Sequence, residues 1–247
     1  MSGTSMSTPA ITGTLALLTE LYGRHFPGDL GAATAKALLI HTATDLGNAG
    51  PDYQFGWGLI NANAAATLIR DDQGSGLYLR QTSLSSGAEL VFPINITSAS
   101  PELRVTITWT DPAGSPAAAS ALVNDLDLEL IAPDGTRHYP FSLNGLADPA
   151  ASARQDRANH TDNVEQVLVA QPQLGQWQLR IRGYRVQGNQ PFTIVSSNSL
   201  NNTGKAATLA APTPPPSNSS NSNSGGGGGT LGFFSLLLLI LAGRRRH

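Results

Sequence analysis

The hydrophobic period of this chain changes once, near residue 70, and that change limits the folds open to it. Before that point apolar residues recur every three or four positions. Ile11, Leu15, Leu18 and Tyr22 share one face of a helix that runs to Tyr22-Gly23, where Pro27-Gly28 breaks the chain. A second helix is predicted over residues 32–42 and a short third over 61–69, with Asn48-Ala49-Gly50-Pro51 as a turn cluster between them. Gly56 and Gly58 are expected where backbones pack closely or take unusual dihedrals.

Beyond residue 70 the period falls to two. Leu90, Phe92, Ile94 and Ile96 alternate with their neighbours. So do Leu103, Val105, Ile107 and Trp109; Leu126, Leu128 and Leu130; and Trp177, Leu179 and Ile181. Val164 to Val169 and Phe192 to Val195 complete the set. Short alternating segments between Gly, Pro, Asn and Asp turns predict an antiparallel β-sandwich over residues 71–199. In the turn at Ala132-Pro133-Asp134-Gly135-Thr136, proline fixes φ and glycine supplies a positive φ.

The sandwich can bury its own core. The helices of residues 1–70 have apolar faces and no strand of their own to cover, so that segment is expected to be poorly stable alone. From residue 200 to 229 the chain turns to Pro, Ser, Asn and Gly, ending in five glycines, a linker composition that cannot form a core. Residues 230–247 hold a leucine-rich run, Leu236 to Leu241, followed by Arg244, Arg245 and Arg246. That run is shorter than the ~20 residues of a comfortable spanning helix. The net charge of −2 gives no basis for nucleic-acid binding, and the lack of cysteine excludes disulfides and thiolate chemistry.

Where the first helix begins, the sequence reads Gly3-Thr4-Ser5-Met6-Ser7-Thr8-Pro9. By itself Thr4 or Ser5 is an ordinary helix N-cap. The whole string resembles the nucleophile motif of the subtilisin-like serine proteases, with Ser7 where that family has alanine. Two further strings keep the family's order: Ala35-Lys36-Ala37-Leu38-Leu39-Ile40-His41 resembles its penultimate helix, and Phe55-Gly56-Trp57-Gly58-Leu59-Ile60-Asn61-Ala62 its closing signature. The resemblance implies an α/β catalytic fold of which residues 1–70 are the C-terminal part. It implies Ser5 as nucleophile within Gly3, Thr4, Ser5 and Met6, and peptide or protein substrates. The family's Asp and His precede its Ser along the chain. His25 and His41 both follow Ser5 and cannot inherit the base role, so a missing N-terminal catalytic part is expected and this chain alone is expected to be inactive.

Val123-Asn124-Asp125-Leu126-Asp127-Leu128, Asp162-Asn163-Val164-Glu165 and Gly175-Gln176-Trp177-Gln178-Leu179 resemble the jelly-roll, P-domain-like module that follows some bacterial subtilases. Asp125, Asp127 and Asp162 are candidate ligands for a structural calcium, which takes six to eight oxygens; the hydrolytic chemistry itself needs no cofactor. Asp125, Asp127 and Glu129 share a strand face, and a solvated acidic face is the other reading of them. The glycine run, apolar segment and arginine cluster together resemble a GlyGly-CTERM sorting tail. That implies transient membrane tethering, removal by an intramembrane protease, and a bacterial envelope or secreted location. The whole reads as a fragment of an exported serine endopeptidase. The alternative is a non-catalytic, envelope-attached β-sandwich carrying a remnant subtilase segment.

Overall fold

The computed structural model describes residues 3–98, 102–201 and 205–207, and the tail from residue 208 onward lies outside the described residues. Three helices come first: α1 (Thr4–His25), α2 (Ala32–Thr42) and α3 (Ala62–Asp72). Nine strands follow: β1 (Leu79–Ser85), β2 (Glu89–Ile96), β3 (Leu103–Trp109), β4 (Asp125–Ile131), β5 (Arg137–His138), β6 (Val164–Val169), β7 (Gly175–Arg185), β8 (Asn189–Ser196) and β9 (Lys205–Ala207). They form two antiparallel sheets, ordered β1-β8-β3-β6 and β5-β4-β7-β2-β9.

The alternation read from sequence sets the faces. Leu90, Phe92, Ile94 and Ile96 of β2, Leu126, Leu128 and Leu130 of β4, and Trp177, Leu179 and Ile181 of β7 point into the space between the sheets. Leu103, Val105, Ile107 and Trp109 of β3 meet them from the other side. On the outer face of the five-stranded sheet the register sets carboxylates against guanidiniums: Asp127 opposite Arg182 and Glu129 opposite Arg180. Arg180 reaches Glu89 at 3.3 Å and Glu129 at 3.9 Å.

The outer face of the four-stranded sheet is largely covered by the helices, with Gln81, Ser85 and Pro191 left exposed on it. Helix α2 packs across β3 and β8, α3 packs beside it and against β1, and α1 packs on α3. The partner that the helices lack in sequence is therefore this sheet. The interface has a small apolar centre, in which Leu79 and Val195, themselves cross-strand partners, join Leu18, Tyr22, Ala37, Leu38, Ala65 and Ile69. Around it the contacts are polar. Thr34 and Thr193 hydroxyls are 2.9 Å apart, Thr108 Oγ1 donates to the Ala33 carbonyl at 2.6 Å, and His41 Nδ1 lies 3.0 Å from Thr106 Oγ1. Arg104 donates to the His41 carbonyl at 2.9 Å. Arg104, Thr106 and Thr108 occupy the "polar" phase of an alternating strand, so the sequence pattern assigns them to solvent.

The chain turn from helices into sandwich is organised by one carboxylate. Asp72 is 1% exposed and accepts backbone N–H bonds from Gly76 (3.1 Å), Tyr78 (2.7 Å) and Leu79 (2.9 Å). It therefore fixes the turn from α3 into β1. The closing loop of the helical segment is held by the Thr44–Leu59 bridge. There Gly58 has φ 101, and any Cβ at that position would overlap the Thr44 carbonyl. Gly56, also at positive φ, faces open space, so its need is conformational alone.

Met1–Leu209 form one compact unit. The inter-sheet core is nonetheless built wholly of residues from Leu84 to Leu200. A chain of residues 71–209 is therefore expected to unfold cooperatively with β-type circular dichroism, at a lower denaturant midpoint than the whole chain. A molten product, rescued only by adding residues 1–70, would show that the helical layer is needed to hold the four-stranded sheet.

Candidate functional site

Gly3 is the N-cap of α1, so Thr4 and Ser5, the expected cap candidates, are instead its first two helical residues. Gly3 precedes α1 with φ 152, a region open to glycine, and it makes no side-chain cap. The first intrahelical donors are the Met6 and Ser7 amides, which bond the Gly3 carbonyl at 3.0 and 3.2 Å. The Thr4 and Ser5 amides thus precede the helical ladder, at the end where the dipole is positive. Pro9 lacks the N–H that would bind the Ser5 carbonyl, and its fixed φ suits the early turns of a helix. Ser5 itself is exposed. A hydroxyl beside unengaged N–H groups is an arrangement able to present a nucleophile and one oxyanion donor together.

No described histidine serves Ser5. His25 sits at the far end of α1, ~30 Å away by helical rise. His41 is buried under α2, where burial first and the Arg104 charge second bring its pKa down to about 3. His138 lies against Trp177, and His160 belongs to the sandwich.

A second cluster occupies one edge of the sandwich. Asp125 and Asp127 stand two residues apart on β4 and point to the same side. The loop before β6 brings His160 onto them, with Nδ1 3.0 Å from Asp125 Oδ2 and 3.4 Å from Asp127 Oδ1. The His160 ring stacks on Tyr184 at 4.3 Å. The loop is shaped by Asn159, whose side-chain oxygen accepts the Thr161 and Asp162 amides at 2.9 and 3.2 Å. Asp162, an expected ligand, accepts from Asn159 Nδ2 at 2.9 Å and is not among the atoms that converge with Asp125 and Asp127. His160 takes that place. The sequence held a signal for it, since His160 lies two residues before Asp162 in the same short turn.

Glu165 approaches β4 from the core side. It is fully buried, accepts the Leu128 amide at 2.6 Å on Oε2, and leaves Oε1 without a partner. Burial pushes its carboxyl well above the usual range, offset partly by the Leu128 hydrogen bond and reinforced by Asp127 and Asp125. Burial likewise lifts Asp127 to about 6, with the His160 ring pulling the other way.

Comparison with known proteins gives one family match and three relatives. Residues 1–58 match the family model described as Subtilase family. Over 223 aligned residues, 82% of this chain and 12% of the relative, the chain is 26% identical to the Serine protease/ABC transporter B family protein tagA of Dictyostelium discoideum. It is 41% identical over 95 residues to Serotype-specific antigen 1 of Mannheimia haemolytica, covering 34% of this chain and 10% of that one. Over 65 residues it is 46% identical to an Extracellular serine protease of Serratia marcescens, covering 26% and 6%. The chain thus spans an eighth or less of the length of these relatives. Its N-terminal segment is subtilase-like, and two of these relatives are named serine proteases.

Proposed function

We propose that this chain is the C-terminal part of an exported subtilisin-like serine endopeptidase, with Ser5 as the nucleophile. The observation that carries the reading is the subtilase match over residues 1–58, in which Ser5 falls at the exposed start of α1 beside amides outside the helical ladder. In this mechanism Ser5 Oγ attacks the carbonyl carbon of a peptide bond and the oxyanion forms near the Ser5 N–H. The hydroxyl proton passes to a histidine, oriented by an aspartate, supplied from a catalytic part that this chain does not contain. Apart from the β4–β5 pair, successive strands alternate between the two sheets, which supports a jelly-roll reading of the accessory domain. The name of the Serratia relative supports an extracellular or envelope setting. For the tail, outside the described residues, the sequence supports a sorting signal whose glycine run is cut after its arginines have fixed orientation.

The test compares two proteins with a fluorophosphonate probe, which labels only an activated serine. This chain alone is expected to show no labelling and no peptide hydrolysis. The product of an in-frame upstream extension encoding Asp and His motifs is expected to label at Ser5 and to lose labelling in Ser5→Ala. Labelling of Ser5 in the isolated chain would show that the serine is activated without an upstream part and would overturn the need for one. No labelling of the extended product, or stop codons directly upstream, would remove this reading in favour of a non-catalytic envelope protein.

A further inference from the structure

We propose that Asp125, Asp127 and His160 form a site for a divalent transition-metal ion of the zinc class, clasping β4 to the loop that leads into β6. One oxygen from each carboxylate and His160 Nδ1 lie within 4.8 Å of one another. The two separations from His160 Nδ1, 3.0 and 3.4 Å, bracket the ~3.3 Å between neighbouring ligands that each stand ~2.0–2.1 Å from a tetrahedral ion.

The carboxylates are poorly compensated by protein. Asp125 is 1% exposed, and its Oδ1 has no hydrogen-bond partner; Asp127 Oδ1 is also buried without one. Arg185, opposite Asp125 in the strand register, donates instead to the Leu122 carbonyl at 3.2 Å. Arg182 lies opposite Asp127 and faces Glu89 across its other edge. A buried carboxylate oxygen without a donor is costly, and a cation removes that cost.

Ligand chemistry chooses the ion. Calcium takes six to eight oxygens, and here one of the three converging donors is an imidazole nitrogen. Two carboxylates with one imidazole suit zinc and its neighbours, leaving the fourth position to water. Tyr184, stacked on the ring, and the Asn159 turn hold His160 in place, as outer partners do at metal sites. Glu165, behind β4, adds negative field without being one of the converging donors.

The test uses the full chain and does not depend on protease activity. Zinc, calcium and magnesium chlorides are titrated by calorimetry, and cobalt is added separately for its visible absorption. Zinc is expected to bind at least about tenfold more tightly than calcium. Cobalt is expected to give tetrahedral d–d bands. His160→Ala, a change at a 43% exposed side chain, is expected to weaken zinc binding about tenfold or more with the fold intact by circular dichroism. Tighter calcium than zinc, zinc binding unchanged in His160→Ala, or no binding of either ion would each overturn the proposal. The last result would leave the imidazole as an ion-pair partner of the two aspartates.

Discussion

Trp109→Ala is expected to lower the free energy of unfolding by roughly 3–5 kcal/mol, read as a drop in urea midpoint at unchanged slope. Trp109 is among the largest fully buried side chains and ends the central strand β3, flanked by β8 and by the start of β6. Its loss opens a cavity between the sheets that backbone strands cannot collapse to fill. It also breaks a connection. Nε1 donates to the Asn124 carbonyl at 2.9 Å, and Asn124 is tied by its Nδ2 to Gln190 (2.7 Å) and by its Oδ1 to the Gln187 amide (2.8 Å). Asp111 holds the Val123 and Asn124 amides, both at 2.8 Å. Trp109→Phe keeps most of the packing and forfeits the Nε1 bond, so it should cost about 1–2 kcal/mol. Equal losses in the two variants would mean that the hydrogen bond, and not the packing, carries the site.

His41 gives the second large effect, seen as a dependence on pH. Its folded pKa, about 3, lies below the unfolded value of 6.5. The contribution of the neutral ring is therefore full above pH 6.5 and is lost as pH falls toward 3. Between pH 7 and pH 4 the loss is on the order of 3 kcal/mol. Asp127 and Glu165 act in the opposite sense. Their folded values are raised, so the stability they favour is present at low pH and is lost as pH rises through those values. The total profile mixes both directions, and the informative quantity is a difference. Denaturant unfolding of the natural chain and of His41→Asn at pH 7, 5.5 and 4 should give curves that converge by that amount as pH falls. Parallel curves would show that water reaches the His41 ring.

The pattern in the sequence carried most of the sandwich and little of what covers it. Alternation located β2, β3, β4 and β7 because one face of each meets the core. It missed β1, whose apolar residues Leu79 and Leu84 are an odd number of positions apart. They point to opposite faces, Leu79 to the helices and Leu84 to the inter-sheet core. Alternation also assigned Thr106 and Thr108 to solvent, yet both are 0% exposed. Hydroxyls satisfied by α2 leave no hydrophobic trace in a sequence. The Ser5 turn was legible because a helix start depends on neighbouring residues alone. The carboxylate–histidine cluster was legible only in half: Asp125 and Asp127 share a strand, whereas His160 arrives through a loop whose fold is set by Asn159.

The helical layer meets the sandwich largely through hydroxyls, amides and one imidazole, with Leu79 and Val195 as the sheet's small apolar share. Lifting that layer away would uncover a back surface that water wets readily, not a sticky patch of the kind that drives aggregation. Such a module is portable. Recombination can hang it behind a different protein without first repairing its exterior, and the new neighbour need only supply a few matching donors and acceptors.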